Sequence, residues 1–389
     1  MNSRRRALLS HLFFYNTSHT RHTRRIHLAP PFLLDEYTPR YMTLSPIDAA
    51  KKRAAAHAHL RNCNLCPRLC GVNRYETTGM CLVGEKVSVN VIVRHFGEGE
   101  ISLSPPPPQI RFSSLSVVGW VCADVGGWGT GTEPCIQGHH GSGAVFFSGC
   151  NMRCVFCQNY DISHKRNGMD LAPEELAEWF VKLQDVGAVH NINLVTPEHV
   201  VPQMVLGILH AKEMGLRVPV VYNTSGYDSM ESLGLLEGLV DVYLPDIKVW
   251  KEDTARRLLK AGDYPVAVRE SVKEMHRQVG DLCFTGDGIA KRGVLVRHLV
   301  MPGLGEEGGE IMSWQAREVS RDCFVNIMEQ YRPAAHVGKA GKGSKGDEKR
   351  YGEINRAVTA EETGMVRRAA ARAGLWRFCD PPKHEGFSL

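Results

Sequence analysis

Three cysteines fall within eight positions of the stretch "FFSGCNMRCVFCQNYDIS" (146–163): Cys150, Cys154 and Cys157. Thiolates are soft donors, suited to zinc or to an iron–sulfur cluster. A structural zinc site normally closes itself with four protein ligands, and His164, seven residues past Cys157, is a candidate fourth. A set of three instead leaves one metal position open, as a catalytic site requires. A second set, Cys63, Cys66, Cys70 and Cys81, is spaced by two, three and ten residues. Four soft ligands in a short, loop-rich stretch predict a metal site, either a closed zinc or an auxiliary iron–sulfur cluster suited to electron delivery. Twelve cysteines without a secretory signal peptide argue for metal rather than a disulfide framework. Cys283, Cys323 and Cys379 read as buried or incidental thiols. His95, His139 and His140 are assigned no role, since lone histidines are more often structural.

The elements that must carry these groups are short apolar strands alternating with helices. "AVFFSG" ends just before Cys150. "NINLVTP", "VPVVYNTSG", "LVDVYLPDIKV", "GVLVRHLVMPG" and "CFVNIMEQY" follow, separated by segments of helical spacing. One of these is a helix near 311–320 and the last fits "TAEETGMVRRAAARAG". Continuous rather than alternating apolarity suits strands covered on both faces, hence a parallel sheet with right-handed crossovers. Six units fall short of the eight of a closed barrel, which predicts an α/β fold with a partial (β/α)6 barrel of TIM type. Residues at the strands' carboxyl ends form the functional face of such folds, and Cys150, Cys154 and Cys157 lie there. Asp246 and Lys248, two apart after the fourth strand, point to one side. An inward carboxylate–ammonium pair carries a desolvation penalty, which favours function over stability as its reason.

The remaining segments set the domain plan. Residues 1–46 are a leader whose first part is rich in Arg, Ser, Thr and His and lacks acid before Asp35, suiting a mitochondrial transit peptide or a disordered basic tail. Residues 47–97 form the cysteine-rich metal segment, with a helix over 47–60 and an alternating strand over 86–97. Residues 98–134, with "SPPPPQ" and "VGGWGTGT", read as a flexible insertion or retained intron sequence without functional role, Cys122 included. The barrel core spans 135–335, and 336–389 form a basic loop and a C-terminal helix. The Gly-Lys runs of that loop do not follow a strand, so they are not a P-loop. A hydrophobic fraction of 43% allows a large core, while the net charge of +5 owes much to the leader and gives no case for nucleic-acid binding. No apolar run of about 18 residues exists, so no membrane association is expected and the chain is expected in mitochondria or cytoplasm.

"CNMRCVFC" resembles the Cys-x3-Cys-x2-Cys signature of the radical S-adenosylmethionine (SAM) superfamily, with Phe156 matching the aromatic usual before the last cysteine. More narrowly, residues 60–380 are similar to the uncharacterised iron–sulfur protein branch likened to pyruvate formate-lyase activating enzymes, through "LCPRLCGVNR", "GSGAVFFSGCNMRCVFCQNYDIS", "NINLVTPEH", "VYNTSGYD", "VDVYLPDIK" and "VRHLVMPG". The resemblance implies a [4Fe-4S] cluster on Cys150, Cys154 and Cys157, with the open iron chelating SAM. It implies reductive cleavage of SAM to methionine and a 5′-deoxyadenosyl radical that abstracts hydrogen. It places Phe156, Asn223, Ser225, Asp246, Lys248 and Arg297 at the cofactor, with Lys248 and the fork-shaped Arg297 reaching the SAM carboxylate. Relatives carry Gly-Gly-Glu for the SAM amino group; this chain has "TPEH", in which Thr196 and Glu198 stand in. The implied partners are an electron donor and an unidentified substrate, protein or small molecule, with a glycyl-radical enzyme as the named class. The competing expectation is a zinc-stabilised interaction protein whose cysteines are all structural.

Overall fold

The computed structural model describes residues 36–95, 133–340 and 349–379. The expected transit peptide, nearly all of the 98–134 insertion with Cys122, and part of the basic loop lie outside the described residues. In chain order the strands are β1 (Val87–His95), β2 (Ser142–Phe147), β3 (Met169–Leu171), β4 (Ile192–Val195), β5 (Val220–Thr224), β6 (Val242–Pro245), β7 (Cys283–Phe284), β8 (Ala290–Leu299), β9 (Phe324–Met328) and β10 (Arg377–Phe378). They form one open sheet in the order β10-β9-β8-β6-β5-β4-β2-β1-β3, with β7 paired to β8. The six apolar strands β2, β4, β5, β6, β8 and β9 run parallel, which is the expected partial barrel. All of β5 and β6 is buried, as strands covered on both faces must be.

Ten helices are described: α1 (Pro46–Arg61), α2 (Pro134–Gln137), α3 (Tyr160–Ser163), α4 (Pro173–Asp185), α5 (Val201–Glu213), α6 (Met230–Leu236), α7 (Glu252–Leu258), α8 (Tyr264–Val279), α9 (Gly305–Glu318) and α10 (Ala360–Ala373). Their ends follow local chemistry. Ser45 accepts the Asp48 amide at 3.1 Å to start α1. Thr359 and Glu362 bond each other's backbone amides to start α10. None of the described helices is long and apolar enough to cross a membrane.

Two features depart from the sequence expectation. The alternating strand of the cysteine segment is not separate from the barrel: β1 pairs antiparallel with β2 and carries β3 on its outer edge. Helix α9 begins at Gly305 rather than near 311, through a glycine-rich turn that propensity alone disfavours. Tertiary packing overrides propensity there. A Cβ on Gly308 would meet Val366 of α10 at 2.6 Å and His298 of β8 at 2.8 Å.

The segment before β1 is clasped to the barrel from both ends. Tyr37 OH and the Arg40 amide donate to Asp241 at 2.6 and 2.8 Å, and Arg68 donates to the carbonyls of Asn151 and Lys260. Gly149, between β2 and Cys150, has φ +83, and a Cβ there would overlap the Cys81 carbonyl oxygen. Gly149→Ala therefore combines a left-handed backbone with a clash against main chain. The expected loss is about 2–4 kcal/mol in the urea unfolding midpoint. Unchanged stability would show that the cysteine segment does not press on this loop.

Candidate active site

The loop after β2 carries Cys150, Cys154 and Cys157, the first buried and the other two partly so. The Cys150 sulfur accepts the Met152 amide at 3.3 Å, and Cys157 Sγ lies 3.1 Å from Ser163 Oγ. Ser163 Oγ in turn lies 2.8 Å from Nδ1 of His164, whose ring stacks on Tyr160 at 4.6 Å. Among the described residues, no three Cys, His, Asp or Glu side chains are grouped as ligands of a single metal ion. Burial pushes the Cys154 thiol up to about 12, with Lys248 acting in the opposite direction. A bare thiolate is thus disfavoured, and a soft metal group supplies the charge that would stabilise it. Three sulfurs spread along one loop suit a group larger than one ion, and the donor set fits an iron–sulfur cluster. Phe156 is buried, its ring edge-on to Tyr331 at 6.1 Å.

The polar residues at the later strand ends form two networks. In the first, Asp246 accepts from Lys248 Nζ at 2.5 Å and from Arg297 Nε at 2.8 Å. Arg297 Nη2 donates to Asn223 Oδ1 at 2.6 Å, and its Nη1 lies 3.7 Å from Glu133. Asn326 of β9 donates to the same Glu133 oxygen at 2.9 Å. Burial alone would raise the Asp246 carboxyl, but Arg297 and Lys248 bring it below its ordinary value. The structure therefore brings together four of the expected residues: Asn223, Asp246, Lys248 and Arg297. Tyr264 locks the arrangement, donating toward the carbonyls of Ser225 and Asp246 and accepting the Lys248 amide at 3.0 Å. Glu133, Asn326 and Tyr264 carried no local signal. Glu133 falls at the end of the stretch expected to be a functionless insertion, yet it is 6% exposed.

In the second network, Glu198 is fully buried at the start of the loop before α5. Its Oε1 receives the Ser225 amide and Thr224 Oγ1, the latter at 2.9 Å. Glu198 Oε2 and Ser225 Oγ are buried with no hydrogen-bond partner among the described residues, so each has bonding capacity left over. Thr196, two residues earlier, holds a left-handed φ of +57, an uncommon conformation for a β-branched residue. Thr224 Oγ1 also lies 2.6 Å from Asp228 Oδ2 and accepts the Gly226 amide at 3.0 Å. A hydroxyl has one proton, so it cannot donate to both carboxylates. Below a pH of about 7 a protonated Asp228 resolves this: it donates to Thr224, Thr224 donates to Glu198, and Tyr222 OH donates to Asp228 Oδ1 at 2.6 Å. Burial, reinforced by Glu198, raises the Asp228 carboxyl to about 7.

A raised carboxyl stabilises the fold only while protonated. Its contribution is complete below the unfolded value of ~3.9 and is lost as pH rises through the folded value. The wild-type chain should lose stability as pH rises through about 7, read as a falling urea midpoint. Asp228→Asn should flatten that limb, because the amide donates to Thr224 and its oxygen still accepts from Tyr222. A variant retaining the wild-type pH slope would exclude the shared proton. Asp246→Asn should act differently, leaving two buried cations without their common anion at a loss of about 3–5 kcal/mol. A loss below about 1 kcal/mol, the range of an exposed pair, would show that the network is solvated.

Comparison with known proteins follows the same residues. The family model described as Radical SAM superfamily matches residues 144–314. An uncharacterised protein of Methanocaldococcus jannaschii is 27% identical over 323 residues, covering 81% of this chain and 76% of that protein. Among solved structures, anSMEcpe with bound AdoMet is similar at 11% identity and TM-score 0.37, over 59% of this chain and 61% of the other. SuiB of Streptococcus suis bound to S-adenosylmethionine gives 11% identity and TM-score 0.37, over 59% and 47%. Methylornithine synthase gives 17% identity and TM-score 0.35, over 63% and 73%. The matched part thus spans less than two thirds of anSMEcpe and of SuiB.

Proposed function

We propose that this chain, which carries a radical SAM domain over residues 144–314, cleaves S-adenosylmethionine reductively and uses the resulting radical to take a hydrogen atom from a substrate. The family implies a [4Fe-4S] cluster and SAM. The observation that carries the reading is the family match over residues 144–314, which includes Cys150, Cys154 and Cys157 just past the carboxyl end of the first parallel strand. Cys150, Cys154 and Cys157 would hold the cluster, which supplies the electron that breaks the sulfonium–carbon bond.

The protein's own part is binding, orientation and exclusion of water. Lys248 and Arg297 are the cations that would face the SAM carboxylate, held in place by Asp246. Glu198 Oε2 lacks a partner and would take the SAM ammonium, standing in for the Gly-Gly-Glu that this chain lacks. Asn223 and Ser225 offer an amide and a free hydroxyl to the ribose or methionine part. The likeness of segments such as "GSGAVFFSGCNMRCVFCQNYDIS" to activating enzymes supports a finer reading, in which the hydrogen comes from a glycine of a partner enzyme.

Anaerobically purified protein should be brown, and with dithionite it should release 5′-deoxyadenosine from SAM. Cys154→Ala should abolish that product, to less than about 1% of wild type, by removing a ligand. Colourless protein holding zinc alone, or full turnover by Cys154→Ala, would overturn the assignment. The partner reading fails separately if no glycyl radical signal develops on any candidate partner while 5′-deoxyadenosine still forms.

A further inference from the structure

Arg74 is a buried guanidinium, 3% exposed, with no carboxylate among its bonded partners. Its Nε donates to Cys63 Sγ at 3.2 Å, its Nη2 to Cys81 Sγ at 3.4 Å, and its Nη1 to the His199 carbonyl at 2.6 Å. An unpaired charge in such a place is expensive, and guanidinium groups are found buried where an anion meets them. The groups that can supply negative charge to it among the described residues are cysteine sulfurs, Cys63 and Cys81 in hydrogen-bond contact and Cys66 beside them.

We propose that Cys63, Cys66, Cys70 and Cys81 hold an iron–sulfur cluster of their own, separate from the SAM site, and that Arg74 is its buried counter-charge. Three of the four cysteines are buried, Cys70 is partly so, and none is in a disulfide. Tight turns gather them. The Leu69 amide bonds the Cys66 carbonyl at 3.0 Å, the Gly71 amide returns to the Cys63 carbonyl at 2.9 Å, and the Leu82 amide closes on Gly79 at 3.0 Å. The Gly79 position brings Cys70 toward the Cys81 turn: a Cβ there would stand 3.0 Å from Cys70 Sγ. Four thiols gathered in one short stretch supply the soft donor set of a cluster, and the buried guanidinium against two of them matches an anionic group. The site also adjoins the radical SAM loop. Asn151 ties the two cysteine segments together, its Oδ1 3.9 Å from Cys150 Sγ and its carbonyl accepting from Arg68 at 2.9 Å. Arg153, from the same loop, donates to the Met80 carbonyl.

The test compares the full wild-type chain with two variants, all purified without oxygen, for iron, acid-labile sulfide, zinc and Mössbauer signature. Cys150→Ala/Cys154→Ala/Cys157→Ala should retain about half of the wild-type iron, with sulfide in equal amount. Cys63→Ser/Cys81→Ser should lose that half and keep the other. Arg74→Gln should lower iron occupancy of the triple variant, while Arg74→Lys should preserve it. A folded triple variant with only zinc, or with no metal, overturns the proposal. If the triple variant does not fold, unchanged iron in Cys63→Ser/Cys81→Ser overturns it instead. Failure of the SAM reading is distinguishable: it removes 5′-deoxyadenosine from wild type, while iron and sulfide bound by the triple variant and lost in Cys63→Ser/Cys81→Ser still report this site.

Discussion

The candidate site hangs on one carboxylate. Strands β6 and β8 pair through only Val242 with Gly293 and Tyr243 with Val294. They meet again at an isolated bridge between Asp246 and Arg297. There the Asp246 side chain spans the seam, holding Arg297 from one strand and Lys248 from the other. Two cations without this anion would repel each other at partly buried positions, where water screens them only in part. The backbone reinforces the seam, with the Ile247 amide on the Arg297 carbonyl at 2.8 Å and His298 on the Ile247 carbonyl at 2.7 Å. Glu133 adds a second anion from outside the barrel strands, so the charge balance of the strand ends depends on a residue far away in sequence.

The cysteine loop shows a complementary constraint. It is gripped on one side by the cysteine-rich segment and on the other by α7, whose last residues Leu258 and Leu259 accept the amides of Val155 and Arg153. Three sulfurs on a short loop gain their geometry from these long-range contacts rather than from local turns. The same holds for Glu198, whose orientation is set by Thr224 and the Ser225 amide one strand away. One oxygen is satisfied by the protein and the other is left bare, which is the arrangement expected of a preorganised ligand group.

Much of this was legible in the residues. Six continuous apolar runs predict six covered strands, because a parallel sheet between helices has no polar face to alternate with. Cysteine spacing singles out candidate ligands, since spacing is a local property. What was not legible is long-range. Glu133 looked like the tail of an insertion, and only its contact with Arg297 makes it part of the site. Tyr264 has no motif around it, yet its hydroxyl joins the turns after β5 and β6. The Asp228 proton is a property of three side chains and one hydroxyl hydrogen, which no periodicity encodes. Helix α9 starts earlier than its sequence suggests because α10 needs a surface without side chains at Gly308.

The clasp of the N-terminal segment carries a consequence for biogenesis. Tyr37 and Arg68 find their partners at Asp241 and Lys260, about 200 residues later in the chain. Contacts of such separation form late, and domains emerge from the ribosome in order. The four cysteines of the segment are therefore made about 200 residues before the groups that clasp them. Until those groups arrive they are loose thiols, open to oxidation, so the order of synthesis exposes this segment longer than the loop after β2.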